Sequence, residues 1–194
     1  PGLSKSRLAS LPDAAALLGV LVREIRPSRL VFSSWGLREG LLNARLSPAI
    51  QAQDPVLAGV AGFCEMLGVS TSTAAMVTGW TALANPADGS GGEPLRLAAT
   101  LLALASMQVE PNMRAGQAVD WALRKRWIGI DARGRAMLAM AVLANGGRTG
   151  LPDNLTRLAT QDQLREAAGW GLAIRLCRKF SGCSPDSLSG SALT

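Results

Sequence analysis

The residues of this chain best suited to chemistry are its arginines and lysines. The 194 residues include 20 lysines and arginines and 14 acidic residues, which gives a net charge of +6. Guanidinium groups bind phosphate oxygens through paired hydrogen bonds. The basic residues concentrate around two predicted helices, at Arg114, Arg124, Lys125, Arg126, Arg133, Arg135 and Arg148. If the two helices are neighbours, this basic set forms one patch, which either binds a phosphate polyanion or is an ordinary solvated basic face.

A nucleic acid is also attracted to such a patch. The sequence has no helix-turn-helix phrase and no series of stacking aromatic residues, so we expect no specific recognition of nucleic acid. The aromatic residues include five tryptophans, which we expect to anchor the core or an interface rather than to form a ligand box. They are Trp35, Trp80, Trp121, Trp127 and Trp170.

Acid–base and metal chemistry have little basis in the sequence. Histidine is absent, which excludes His general bases, His metal ligands and Ser-His or Cys-His pairs within this chain. Paired carboxylates can hold Mg²⁺ or transfer protons, but nothing in the sequence brings two of them together. The candidates are Glu65, Glu110, Asp120 and Asp131. We expect caps and surface charges, with Asp131 as a helix N-cap, and no metal site.

The cysteines and the hydropathy indicate a cytoplasmic protein. The three cysteines, Cys64, Cys177 and Cys183, are odd in number and fit no zinc spacing, so we expect reduced thiols. The most apolar run, Leu95–Met107, contains Arg96 and is too short to cross a bilayer. It therefore predicts a buried helix, and we expect no membrane association.

A glycine-bracketed turn separates two parts of the chain. The apolar run Arg29–Ser33 predicts a buried strand, and Gly36-Leu37-Arg38-Glu39-Gly40 follows it and leads into a helix. Such a turn brings backbone N–H groups together, where they either bind an anion or simply form a tight turn. One strand cannot make a sheet, and the chain begins at Pro1, so we expect it to be part of a longer protein.

The remaining elements predict a mainly α-helical fold. A helix opens at Leu11-Pro12-Asp13 and is ended by Arg26-Pro27-Ser28. Glu93–Met107 is apolar nearly all round and is expected at the centre of a helical bundle. The tail Ser181–Thr194 is predicted to be loose. Further helices are predicted over 37–46, 54–67, 70–84, 112–127, 131–145 and 160–180.

Several phrases resemble one family, that of the exopolyphosphatases and guanosine pentaphosphate phosphohydrolases. Arg7–Asp13 and Pro27–Leu42, which contains the phrase Gly36-Leu37-Arg38-Glu39-Gly40-Leu41-Leu42, look like the end of the family's second actin-like domain. The later part resembles its C-terminal helical domain, which is related to the HD phosphohydrolases. The matching phrases there are 95–99, 130–136, 171–176 and 181–183.

The resemblance implies two domains. Residues 1–46 would be a short α/β remnant of an actin-like, ribonuclease H-like domain, and residues 47–194 an HD-like helical bundle. Gly36, Arg38, Glu39 and Gly40 would fix the domain junction. The parent enzyme would release phosphate from polyphosphate or guanosine pentaphosphate. For this it would use Mg²⁺ and glycine-rich phosphate-binding loops, and those loops are not found in this sequence.

The departures from the family concern a metal site. In the register of the resemblance, Leu104 replaces an Asp, Glu110 and Ala132 replace His, and Asn145 ends a phrase that usually carries His. Without histidine, the HD-like domain is expected to bind no catalytic metal and no other cofactor, and to hydrolyse nothing by that route. The expected roles are homodimerisation and binding of polyphosphate or another phosphate polyanion. The alternative is a stand-alone helical interaction module with no phosphate role.

Overall fold

The computed structural model describes residues 4–31, 35–83, 92–191 and 193, and within these ranges all regular structure is helical. The chain is therefore mainly α-helical, as the sequence predicts. A 3₁₀ turn at Ser106–Gln108 follows the sixth of the helices. In chain order the helices are α1 Lys5–Ile25, α2 Leu37–Asn43, α3 Pro48–Gln51, α4 Pro55–Glu65, α5 Thr71–Trp80, α6 Gly92–Ala105, α7 Arg114–Arg124, α8 Ala132–Asn145, α9 Asp153–Thr156, α10 Gln161–Ser181 and α11 Pro185–Ser189.

The chain divides into two compact units, Pro1–Glu39 and Gly40–Thr194, which we call unit 1 and unit 2. The division falls within α2. The domain boundary proposed from the sequence, between residues 46 and 47, stays a prediction.

Unit 1 consists mainly of α1, which begins earlier than the sequence predicts. The helix starts at Lys5 and continues through Pro12, although proline has no N–H for the helical ladder. It ends as predicted, because Arg26 adopts a left-handed conformation (φ 48°) and donates its N–H to the carbonyl of Val22. None of its residues is buried.

The strand predicted over Arg29–Ser33 is not found in its described part. Arg29, Leu30 and Val31 belong to no strand, and the rest of the prediction lies outside the described residues. A strand needs a hydrogen-bonded neighbour, and the described residues provide no second strand. The helix after the glycine turn is present as α2, and the N–H of Gly36 donates to Glu39 Oε2 at 2.9 Å. This contact is half of a capping box.

Unit 2 is organised around α6 and α8. From Ala98 to Ala105 every residue of α6 is buried, and from Ala136 to Asn145 every residue of α8. The prediction that Glu93–Met107 is central is confirmed, since α6 packs against α4, α5, α7, α8 and α10. The sequence does not predict that α8 is equally central, although α8 packs against α6, α7, α9 and α10.

The packing of α8 on α10 depends on small residues. A Cβ added at Gly171 would overlap the carbonyl oxygen of Ala141 and lie 2.8 Å from the Cβ of Ala144. The two helices therefore approach with backbone almost in contact with backbone, which only glycine allows. The tail was predicted to be loose, and this is wrong for Pro185–Ser189, where α11 buries Leu188 against the rest of unit 2.

Candidate functional site

The two helices that carry most of the basic set are neighbours. Helices α7 and α8 pack against each other and are joined by residues 125–131. The members of the basic set do not all have the same role, however. Two of the arginines are hydrogen-bonded inside the fold, and the others lie at the surface.

Arg135 closes the end of α7. Its Nη1 donates to the carbonyl of Lys125 at 2.8 Å and to those of Leu123 and Ala122 at 3.2 and 3.3 Å, and its Nη2 to that of Trp127 at 3.4 Å. The last carbonyls of a helix lack partners within it, and their partial negative charge suits a cation. Burial lowers the pKa of this guanidinium. Arg135 therefore stabilises the α7–α8 connection and is not a free surface charge.

Arg114 has a similar structural role at the other end of α7. Its Nε and Nη2 donate to the carbonyl of Val109 at 3.2 and 3.0 Å, and Nη2 also donates to that of Met107 at 3.2 Å. These carbonyls belong to the turn that follows α6. The residue ties the start of α7 to the end of α6.

The remaining members of the set are more accessible. Arg124 lies 3.3 Å from Asp120, with 79% of its side chain exposed, and Arg133 lies 3.8 Å from Asp131, with 45% exposed. Such exposed pairs are weak. The ammonium of Lys125 lies 4.1 Å from the ring centroid of Phe63. Arg126 and Arg148 are exposed, Arg148 after the end of α8.

Four of the five tryptophans lie in or against the core of unit 2, as the sequence predicts. Trp127 and Trp170 are buried in unit 2, and Trp80 and Trp121 pack against its core. Trp127 lies beside Phe63, which it meets edge to face, and donates its indole N–H to the carbonyl of Trp121 at 2.9 Å.

The acidic residues include the predicted cap. Asp131 Oδ1 accepts from the N–H of Gly134 at 2.7 Å, which confirms its role at the start of α8. Glu65 accepts from Thr71 Oγ1 at 3.3 Å. Among the described residues, no group of three His, Cys, Asp or Glu side chains could hold a metal ion.

A second group of arginines, which the sequence reasoning missed, surrounds the end of α8. Arg178 Nε donates to Asn145 Oδ1 at 3.2 Å, and Arg175 Nη1 donates to the carbonyl of the same Asn145 at 3.0 Å. The side chain of Asn145 is itself buried and donates to the carbonyl of Ala103 at 3.3 Å. One signal for this site is present in the sequence, because Asn145 is the first polar residue after a run of nine apolar residues that begins at Ala136.

Arg178 lines a pocket of about 320 Å³ in unit 2, between the start of α5 and the end of α10. Of the four positions that the resemblance relates to a metal site, two lie at this pocket and two are exposed. Leu104 lines the pocket, and Asn145 contacts Arg178. Glu110 and Ala132 are exposed. The pocket is lined by Gly68, Val69, Ser70, Thr73, Leu104, Met107, Gln108, Arg178, Gly182 and Cys183.

Comparison with known proteins adds no family assignment. No family model matches the chain, and no curated protein matches it significantly. None of the described helices is long and apolar enough to span a membrane. The site must therefore be interpreted from its own geometry.

Proposed function

We propose that this chain is the C-terminal region of an exopolyphosphatase-like phosphohydrolase, and that its helical part binds the polyphosphate chain without catalysing hydrolysis. The family phrases quoted above support this, together with the helical architecture of unit 2. In the proposal, Mg²⁺ and the hydrolytic groups belong to the actin-like domains of the parent enzyme. The three free thiols are consistent with a cytoplasmic location.

One observation carries the proposed binding role. The more accessible cations of the basic set lie where α7 ends and α8 begins, on both sides of a connection that Arg135 holds from within. Arg124, Lys125, Arg126 and Arg133 form this basic connection. Because its neighbouring acids, Asp120 and Asp131, are exposed, their pairs with arginine are weak and exchange readily for phosphate oxygens.

Binding to such a surface is dominated by the release of counterions from the polyanion. Each phosphate that a lysine or arginine neutralises adds to the salt dependence of the affinity, and sequence or shape contributes little. Arg114 and Arg135 were predicted to bind the polyanion, and we now assign them to the support of α7. The proposed contacts are therefore fewer than the seven side chains of the basic set that the sequence indicates.

The test is the binding of fluorescently labelled polyphosphate to the whole chain as a function of salt. The variant R124Q/R126Q/R133Q should weaken binding by about tenfold or more at low salt and should flatten the salt dependence. The matched control R157Q/R165Q/K179Q removes the same charge from exposed positions elsewhere on unit 2 and should weaken binding by less than about threefold.

Two results would contradict this role. Absence of binding by the unmodified chain at low salt excludes it, because electrostatic attraction is strongest there. Equal losses in the two triple variants would show that net charge, and not the basic connection, attracts the polyanion.

The proposal also includes a homodimer, as the resemblance implies. Sedimentation equilibrium of the chain over a wide concentration range tests this directly. A monomer throughout would remove dimerisation from the proposed role without affecting polyphosphate binding.

The alternative function is a helical interaction module with no phosphate role. The apolar residues of α1 favour it, since Leu17 is 62% exposed and Ile25 68% exposed. A helix that exposes large apolar side chains along its length is typical of a surface that a protein partner covers. Under this alternative, deleting residues 1–25 abolishes partner binding and the basic connection is dispensable.

A further inference from the structure

The end of α8 carries an unusual concentration of positive charge. Arg114, Arg175 and Arg178 lie near enough for their charges to interact. Burial is the main cause that lowers the pKa of Arg178, the charges of Arg175 and Arg114 lower it further, and Cys183 and Cys177 act in the opposite direction. Within the part of the chain that the structure describes, none of the three forms an ion pair with a carboxylate. Like charges gathered in a partly buried place repel, and a bound anion would relieve that repulsion.

Asn145 fixes the position of the guanidinium that faces the pocket. Its Oδ1 holds Arg178 Nε, and its own amide group is held by the carbonyl of Ala103 in α6. This leaves Nη1 and Nη2 of Arg178 without a hydrogen-bond partner among the described residues. A fixed guanidinium with two unused donors at the wall of a pocket has the geometry for a bidentate contact with an oxyanion.

The rest of the pocket also suits an anion. Ser70 and Thr73 bring hydroxyl groups from the start of α5, and Gln108 brings an amide. Among the residues that the structure describes, no acidic side chain lines the pocket. Its volume of about 320 Å³ exceeds what one phosphate group needs, so a phosphorylated small molecule also fits.

We propose that the pocket between α5 and α10 binds a phosphate-sized oxyanion through Arg178, with Gln108, Ser70 and Thr73 as further polar contacts. Asn145 acts as a positioning residue, because it orients Arg178 and does not itself line the pocket. This site is separate from the basic connection. The pocket lies near the start of α7 and the basic connection lies at its end, and 11 helical residues separate the two by about 16 Å.

The thiol of Cys183 provides a local reporter. Cys183 lines the pocket and is partly exposed, whereas Cys64 and Cys177 are buried. Alkylation of the native chain by iodoacetamide, resolved by mass spectrometry for each cysteine, should slow at Cys183 when inorganic phosphate is added. We expect a saturable decrease of at least about threefold, absent when chloride replaces phosphate at equal ionic strength.

The deciding variant is Q108E. Arg178→Gln would leave the buried Asn145 without its partner and so disturb the fold. Gln108 is exposed and makes no side-chain hydrogen bond among the described residues, so a carboxylate there changes little except the charge of the pocket. We expect Q108E to weaken phosphate protection by about tenfold. The control Q53E adds the same charge before the start of α4, away from the pocket, and should change it by less than about twofold.

Three outcomes would overturn the proposal. The first is a Cys183 rate that does not respond to phosphate, and the second is an equal loss of protection in Q108E and Q53E. The third is a loss of protection in R124Q/R126Q/R133Q, which would place the phosphate on the basic connection. Retained protection in that triple variant supports the pocket whether or not the chain binds polyphosphate.

Discussion

Helices α1 and α8 show how differently two alanine- and leucine-rich segments are used in this protein. All but the first turn of α8 is in the core of unit 2, with ten consecutive buried residues from Ala136 to Asn145. In α1, which is longer, no residue is buried, and Leu8, Leu11, Leu17 and Leu21 are all exposed. Apolar content alone therefore does not decide which segment forms a core. What distinguishes α8 is the set of helices packed around it, which are α6, α7, α9 and α10.

The largest expected effect comes from adding one methyl group at each of two helical glycines. Gly171→Ala should destabilise unit 2 by about 3 kcal/mol or more, because its Cβ overlaps the backbone of α8. Gly19→Ala should stabilise α1 by about 0.5–1 kcal/mol, since beyond the local helix backbone no described atom lies within 4 Å of the added Cβ. Urea unfolding measures the first change, and amide hydrogen exchange along α1 the second. A tolerated G171A would contradict the close packing of α8 on α10.

Truncating one leucine in each helix makes the same comparison by removing side-chain atoms instead of adding them. Leu138 is fully buried in α8, so Leu138→Ala should cost about 2–5 kcal/mol through lost contacts and a cavity. Leu17→Ala removes a side chain that is 62% exposed and should change the stability of unit 2 by less than about 0.5 kcal/mol. Denaturant midpoints by circular dichroism measure both. Equal costs would mean that α1 is covered in solution.

The arginines of the basic set offer a finer comparison within unit 2. Arg135→Gln should destabilise the fold by about 1–3 kcal/mol, because several carbonyls at the end of α7 lose their donor. Arg133→Gln removes only an exposed pair and should cost less than about 0.5 kcal/mol. Thermal unfolding of the two variants side by side tests the assignment. If R133Q is the more damaging of the two, the assignment of Arg135 to a structural role is wrong.

The smallest effect concerns alkaline pH. Burial raises the pKa of Cys64 from 9.0 to about 12, so the folded state disfavours its thiolate. The corresponding stability is complete below pH 9 and is lost as the pH rises toward 12, by at most about 1.4 kcal/mol per pH unit. Cys64→Ala should therefore reduce the loss of stability between pH 8 and pH 10 by about 1 kcal/mol. Helix α1 contains no cysteine and lacks this contribution.

The sequence predicts the long helices of unit 2 well, because their signals are local. Asp54 and Thr160 cap α4 and α10 as hydrogen-bond acceptors, and Asp131 caps α8. The four-residue helices α3 and α9 were missed, since a single turn has too few residues to show a period. The strand predicted over Arg29–Ser33 is the opposite error, because an element was predicted and its described part is not a strand. An apolar run cannot reveal whether a neighbouring strand exists to pair with it.

The candidate sites could be predicted only in part, because charge is visible in a sequence and hydrogen bonding is not. Arg124 and Arg135 have the same residue type and lie in the same pair of helices, yet one is exposed and the other holds four carbonyls. The difference depends on how the connection folds over α8. The pocket at Arg178 joins α5, α6 and α10, which are distant in sequence, and no local motif links them.

The support of α7 by Arg135 has a consequence for how the surface can evolve. Since an internal guanidinium already donates to several carbonyls at the end of the helix, the cations beside them are not needed as donors to those carbonyls. Their number and sign can then change from one homologue to another with little cost to folding. Affinity for an anionic ligand at this place can therefore be gained, tuned or lost by single substitutions, while the scaffold beneath it stays the same.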